Sequence, residues 1–142
     1  PIIFETHGAF EVGKGYVVRE GSDIAIIATG TMTAEALKAY DLLKEEGIEA
    51  KIIHMPTIKP LDEELVREVA EETGRIITCE EHSVIGGLGD AVAMAIAKKP
   101  VPMIRIGVND VFGESGKARE LMEKYGLTAE NIVARAKELI EK

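Results

Sequence analysis

The 142 residues are 46% apolar, and 17 basic residues stand against 25 acidic ones, for a formal net charge of −8. That length and apolar share fit one globular domain with a real core and exclude a disordered chain. The acidic balance argues against a nucleic-acid or anionic-membrane surface. No apolar run approaches the roughly 20 residues of a membrane helix, and residues 1–16 carry no apolar core of a secretory signal. The single cysteine, Cys79, has no partner for an internal disulfide, so a reducing cytoplasm is the expected compartment. Abundant Lys and Glu with no Trp lean towards a thermophilic source. The first residue is Pro rather than Met, which leads us to expect a processed product or an excised fragment.

In chain order, residues 1–15 are mixed in character and include Gly8, Gly13 and Gly15, as expected of a linker or arm from a preceding domain. Residues 16–142 form the domain. Tyr16–Arg19 fits a short edge strand, and Gly21-Ser22-Asp23 a turn. Ile24–Ala28, IAIIA, is a continuous apolar run, the mark of a central strand covered on both faces. Thr29-Gly30-Thr31 breaks it. A helix then runs to about Glu46, with Ala36, Leu37, Tyr40 and Leu43 inward and Gly47 as its stop. Ala50–His54 is the next strand. Pro56 and Pro60 make Met55–Leu61 irregular. Asp62 fits an N-cap, with Glu63 and Glu64 at the positive end of the macrodipole; Leu65, Val66, Val69 and Ala70 face inward, and Gly74 ends the helix.

Arg75–Cys79 is a short β-branched strand, followed by a polar turn at Glu80, Glu81 and His82 and a corner at Gly86, Gly87 and Gly89. Leu88, Ala91, Val92, Ala95 and Ile96 then line one helical face. Pro100 and Pro102 bracket a loop, Met103–Ile106 is a last strand, and Asn109–Gly113 is a loop. Ala118, Leu121, Met122 and Tyr125 stripe one helix; Ile132, Val133, Ala136, Leu139 and Ile140 stripe another, capped by Thr128. Alternating strands and helices with short links imply a mostly parallel sheet in an α/β sandwich.

In such a sheet, ligands and partners gather at the carboxyl ends of the strands. The glycine corner opens a helix, so it reads either as a phosphate or carboxylate site or as tight strand–helix packing. The dinucleotide spacing would need glycine at position 92, where Val92 stands. Gly113 to Lys117 shares the Gly-Lys pair of a phosphate-binding loop. That motif needs glycine at 111 and Ser or Thr at 118, where Val111 and Ala118 stand, and Glu114 would repel phosphate. Ser115 fits a helix cap instead. Glu80, Glu81 and His82 read as an acid–base group or as a loop terminus and subunit contact, and consecutive residues do not all point one way. His7, His54 and His82 lack metal-ligand spacing. Cys79, in an apolar strand, reads as a buried inert thiol.

The segments GSDIAIIATGTM (21–32), MPTIKPLD (55–62), ITCEEHSVIGGLGDAV (77–92) and FGESGKARELMEKYGLT (112–128) resemble the C-terminal domain of transketolases, in order and spacing, and FETHGAFEVGKGYVVREG (4–21) resembles its lead-in. Bacterial and archaeal forms, including those split into two polypeptides, are the most similar. Related domains occur in deoxyxylulose-phosphate synthase and in 2-oxoacid dehydrogenase β subunits. The resemblance implies a three-layer α/β/α sandwich on a five-stranded, mostly parallel mixed sheet with one antiparallel edge strand. It also implies a parent enzyme that moves a two-carbon ketol unit between sugar phosphates, chemistry of the pentose phosphate pathway, with thiamine diphosphate and a divalent metal. In that family Gly-Asp-Gly and Asn-Asn patterns of another domain hold the cofactor, and this sequence has neither.

The chain alone is therefore expected to be catalytically silent and to bind no cofactor or metal of its own. Its expected partners are the preceding catalytic domains or a separate N-terminal subunit, with a second copy in a homodimer, and neither nucleic acid nor membrane. Glu80, Glu81, His82, Gly86, Gly87 and Gly89 are the candidate domain or subunit contact. The alternative is a small-molecule effector module using the rim of Thr29, Gly30, Thr31 and His54, beside Glu81 and His82.

Overall fold

Every residue of the IAIIA run, strand β2 (Ile24–Ala28), is fully buried, because two different cores lie on its two faces. In the computed structural model, which describes residues 11–83, 87–108, 123–124 and 126–141, it is the centre of a five-stranded sheet. The other strands are β1 (Tyr16–Arg19), β3 (Ala50–His54), β4 (Ile76–Ser83) and β5 (Met103–Val108), in the order β1-β3-β2-β4-β5. Only the β1–β3 pair is antiparallel. Side chains alternate across the pleat. Ile24, Ile26 and Ala28 pack under α1 (Met32–Glu45) and α4 (Ala129–Ile140). Ala25 and Ile27 pack under α2 (Glu63–Thr73) and α3 (Leu88–Ala95). The result is the expected three-layer sandwich with one antiparallel edge.

The helices bury the faces their periodicity sets. On α1, Ala36, Ala39 and Leu43 are fully buried, while Leu37 and Tyr40, expected inward, are only partly covered. Small Ala36 and Ala39 bring α1 close to the sheet, and the larger pair flanks that contact. On α3, Leu88, Val92 and Ile96 carry the burial and Ala91 and Ala95 lie at its margin. Thr128 caps α4 by accepting the Asn131 N–H at 3.2 Å. Gly74 ends α2 in the left-handed region, at φ 70°, which glycine adopts without steric cost.

The last two strands run longer than their apolar cores suggested. β2 stops pairing with β4 at Ala28–Cys79, but β5 continues alongside β4 through a register irregularity to Ser83–Val108. Glu80, Glu81 and His82 therefore lie within the strand, not in a polar turn, in the irregular stretch between the paired residues Cys79 and Ser83. The expected loop Asn109–Gly113, the cap at Ser115, and the helix striped by Ala118, Leu121, Met122 and Tyr125 lie outside the described residues.

Asp62 ties the incoming chain to the domain. Its Oδ1 accepts the Leu65 N–H at 3.2 Å, capping α2, and its Oδ2 accepts the Gly15 N–H at 2.9 Å. Thr57 Oγ1 accepts the Gly13 N–H at 3.0 Å, so the end of the segment expected as a linker is hydrogen-bonded to the loop before α2. On the same side of the sheet, buried Lys51 reaches Glu20 and Glu72, the latter at 3.1 Å. Burial works to lower its pKa, but the two carboxylates outweigh it and the pKa is raised.

Loss of both Asp62 contacts should be felt in stability. Asp62→Ala is expected to lower the urea-unfolding free energy by about 1–2 kcal/mol. Amide exchange at Gly15 should quicken in the same variant.

Candidate functional site

The carboxyl ends of β2, β3 and β4 lie together, and there two consecutive glutamates of β4 point to opposite faces. Glu80 is 2% exposed. Its Oε1 accepts the Leu88 N–H at 3.0 Å and its Oε2 the Gly89 N–H at 3.1 Å. These are first-turn amides of α3, which an intrahelical bond cannot satisfy. Gly87, the N-cap, has no side chain to serve them. The amides at the glycine corner, read from sequence either as an anion site or as tight packing, are thus taken by the chain's own carboxylate. For the same reason the Glu80 side chain is turned inward and buried.

Glu81 faces the α1 side. Its Oε1 accepts the Thr31 N–H at 3.2 Å, at the start of α1, where Thr31 makes no side-chain cap of its own. Gly30 permits this approach: at φ +55°, a Cβ there would sit 3.1 Å from Glu81 Oε1. Thr29 donates its N–H to the Cys79 carbonyl at 3.1 Å and accepts from Met32 N–H at 3.1 Å, so the Thr29-Gly30-Thr31 turn is fixed to β4 and to its own helix. Gly89 answers to packing, since a Cβ would meet Arg105 Cδ at 2.7 Å, where the arginine runs past it to Asp90. His82 is placed in β4 by its backbone alone, and Gly86 lies outside the described residues.

His54 ends β3 beside Ala28, facing α1. Its Nδ1 pairs with Thr33 Oγ1 at 2.9 Å, both residues being buried, and burial lowers its pKa below the ordinary 6.5. Cys79 is fully buried, and its thiol is pushed far up by burial and then by the neighbouring Glu80 charge. That thiol is not a nucleophile at neutral pH. Among the described residues, no group of three or more His, Cys, Asp or Glu side chains is arranged to hold a metal ion. No described helix is long and apolar enough to cross a membrane.

One residue went unnoticed in the sequence. Glu35, 5% exposed on α1, accepts the Ala129 N–H at 2.9 Å through Oε1 and Lys38 at 3.1 Å through Oε2. It serves the first turn of α4 as Glu80 serves α3. The only local sign was an acidic side chain beside buried Ala36, which first-turn placement in α1 already explains.

Comparison with known proteins places this geometry. The family model described as "Transketolase, C-terminal domain" matches residues 13–132. The chain is 49% identical over 140 residues to a "Putative transketolase C-terminal section" of Methanocaldococcus jannaschii, covering 97% of this chain and 43% of that protein. It is 48% identical over 134 residues to a 6-deoxy-6-sulfo-D-fructose transketolase subunit of a Clostridium species, covering 94% of this chain and 42% of that one. A solved structure described as "Split gene transketolase, inactive beta4 tetramer" superposes at a TM-score of 0.90 with 48% identity, over 99% of this chain and 46% of the other. The chain thus spans under half the length of these relatives.

Removing the Glu80 charge strands two buried amides. Glu80→Ala is expected to cost about 2–3 kcal/mol in chemical denaturation, with Glu80→Gln losing less. His54 gives a pH signature of known sign. Its folded pKa lies below its unfolded value, so the unfolded chain takes up the proton first, and stability declines as pH falls below about 6.5 towards the folded value. Urea midpoints between pH 8 and pH 5 should fall for the parent chain and fall less for His54→Gln.

Proposed function

The chain belongs to the transketolase C-terminal domain family, and from that membership we propose that it is the non-catalytic assembly section of a transketolase. The parent enzyme transfers a two-carbon ketol unit between sugar phosphates. Catalytic domains elsewhere, on preceding residues or on a separate subunit, bind thiamine diphosphate and its metal. This chain orients those domains and contributes to self-association. The names of its relatives, a C-terminal section, a subunit and a split-gene product, support the division of labour.

The observation that carries the non-catalytic part is the carboxylate of Glu80 seated on the α3 amides. A diphosphate needs free N–H donors and positive potential. Here Glu80 and Glu81 already occupy the starts of α3 and α1 with negative charge. The residues described at the rim therefore do not fit a diphosphate. The effector reading is weakened by the same bonds, because Thr31 N–H and His54 Nδ1 are engaged within the chain.

Calorimetric titration of thiamine diphosphate with magnesium into this chain alone should give no heat of binding, while the chain joined to its catalytic domains should give a saturable signal. A micromolar affinity of the chain alone would overturn the proposal. In the complete enzyme, Glu81→Ala should weaken assembly about three- to tenfold, with the single-turnover rate of the assembled enzyme preserved. A large fall in that rate at unchanged assembly would place Glu81 in the chemistry instead.

A further inference from the structure

A cleft of about 1020 Å³ runs between the outer side of α2 and the end of α3, away from the glutamates at the rim. One wall is acidic: Glu64, Glu68 and Glu71 recur at i, i+4 and i+7 on α2, so they form a single stripe. The other wall is basic, from Lys98 and Lys99 just past α3. The floor between them is apolar, with Ala70 and Ile96 each 3% exposed, and Met94 stands at its lip, 78% exposed. Glu63 and Arg67, also at the cleft, pair with each other at 3.3 Å. Among the described residues, by contrast, none of Glu64, Glu68, Glu71, Lys98 or Lys99 makes an ion pair. The cleft keeps its two walls of opposite sign apart instead of letting them neutralise each other.

We propose that this cleft is a self-association surface, on which a second copy of the chain docks about a two-fold axis so that each acidic α2 wall faces the other copy's Lys98 and Lys99. Opposite charges on the two sides of one apolar strip give the self-complementarity an isologous contact requires, since a two-fold axis along the strip presents each wall to its complement twice. Covering the strip would also remove Met94 from water, and a methionine at such a lip adapts readily to a facing surface. The inference rests on the assembly role proposed above and names the surface that serves it.

Two charge-reversed forms of the full polypeptide test this. One carries Glu64→Lys, Glu68→Lys and Glu71→Lys, so both walls are basic; the other carries Lys98→Glu and Lys99→Glu, so both are acidic. All five side chains are solvent-exposed, and circular dichroism melts matching the parent chain establish folding. In sedimentation equilibrium, each form alone should self-associate about tenfold or more weakly than the parent, because like charges then face each other. An equimolar mixture should recover the association as a hetero-oligomer. A third variant, Met94→Glu, should weaken association without being rescued by either form. The proposal is overturned by unchanged association of the single forms, by a mixture of folded forms that stays dissociated, or by a parent chain that is monomeric throughout. It is also overturned when the reversals abolish binding to the catalytic domains but leave self-association intact, a result that keeps the transketolase assignment. Failure of the parent chain to join any thiamine-binding partner would sink that assignment alone, whatever the self-association shows.

Discussion

A helix that begins at the edge of a sheet leaves its first N–H groups without intrahelical partners, and the four described helices of this chain do so. The rest of the structure depends on how that demand is met. Two of the helix starts lack a side-chain cap of their own: Gly87 has no side chain, and Thr31 bonds no amide with its hydroxyl. Carboxylates from distant strands and helices serve instead. Glu80 reaches α3 across 8 and 9 residues of sequence, Glu81 reaches α1 across 50, and Glu35 reaches α4 across 94 although Thr128 already caps that helix. Each bond fixes a helix to another element, so the caps also set the layer geometry. A negative charge at a helix start is favourable, more so where water is excluded.

The same bonds bear on function. A helix N-terminus at the carboxyl edge of an α/β sheet is the usual place for a phosphate, and the glycine corner of this chain has the backbone for it. By filling it with Glu80, the fold exchanges a ligand site for rigidity. Glu81 does likewise at α1, with Gly30 keeping space for the carboxylate. Among the described residues at this edge, the Thr29, Thr31, Leu88 and Gly89 amides are engaged within the chain. Those amides are not open to a phosphate, in keeping with the assembly role proposed for the chain.

The parts of this architecture governed by local chemistry were legible in the sequence. IAIIA could only be a strand buried on both faces, Asp62 and Thr128 stood where N-caps belong, and Gly74 stood at the left-handed stop. The extension of β4 was not legible, because Glu-Glu-His has no strand propensity and the strand resumes pairing only beyond it, at Ser83 with Val108 of β5, a partner some 25 residues on. Nor could Glu35 and Glu80 be recognised as caps. Their amide partners come close only after the crossovers are made, and a glutamate's local context does not distinguish a solvated charge from a buried one. The alternation that sends Glu80 to one face and Glu81 to the other was foreseeable, and it gives the two carboxylates separate contacts, on α3 and on α1.

The glutamates of α2 show why composition alone misreads the net charge of −8. Glu63 is paired with Arg67, and Glu72 is drawn to the buried Lys51. Glu64 sits in the first turn, where the macrodipole favours it. Glu71 sits in the last turn, which holds no basic residue, and there the same dipole opposes a negative charge. Glu68 and Glu71 also follow one another at helical spacing with Glu64, so each repels the next by a few tenths of a kcal/mol, roughly as like charges at i, i+4 do. Stability of the single chain would place lysine at position 71. An acidic stripe whose last member, Glu71, is opposed by the dipole lies beside a strip of apolar surface with lysines on its far side. The three features are explained together when the facing surface carries the opposite pattern, and a second copy of the chain carries it by construction.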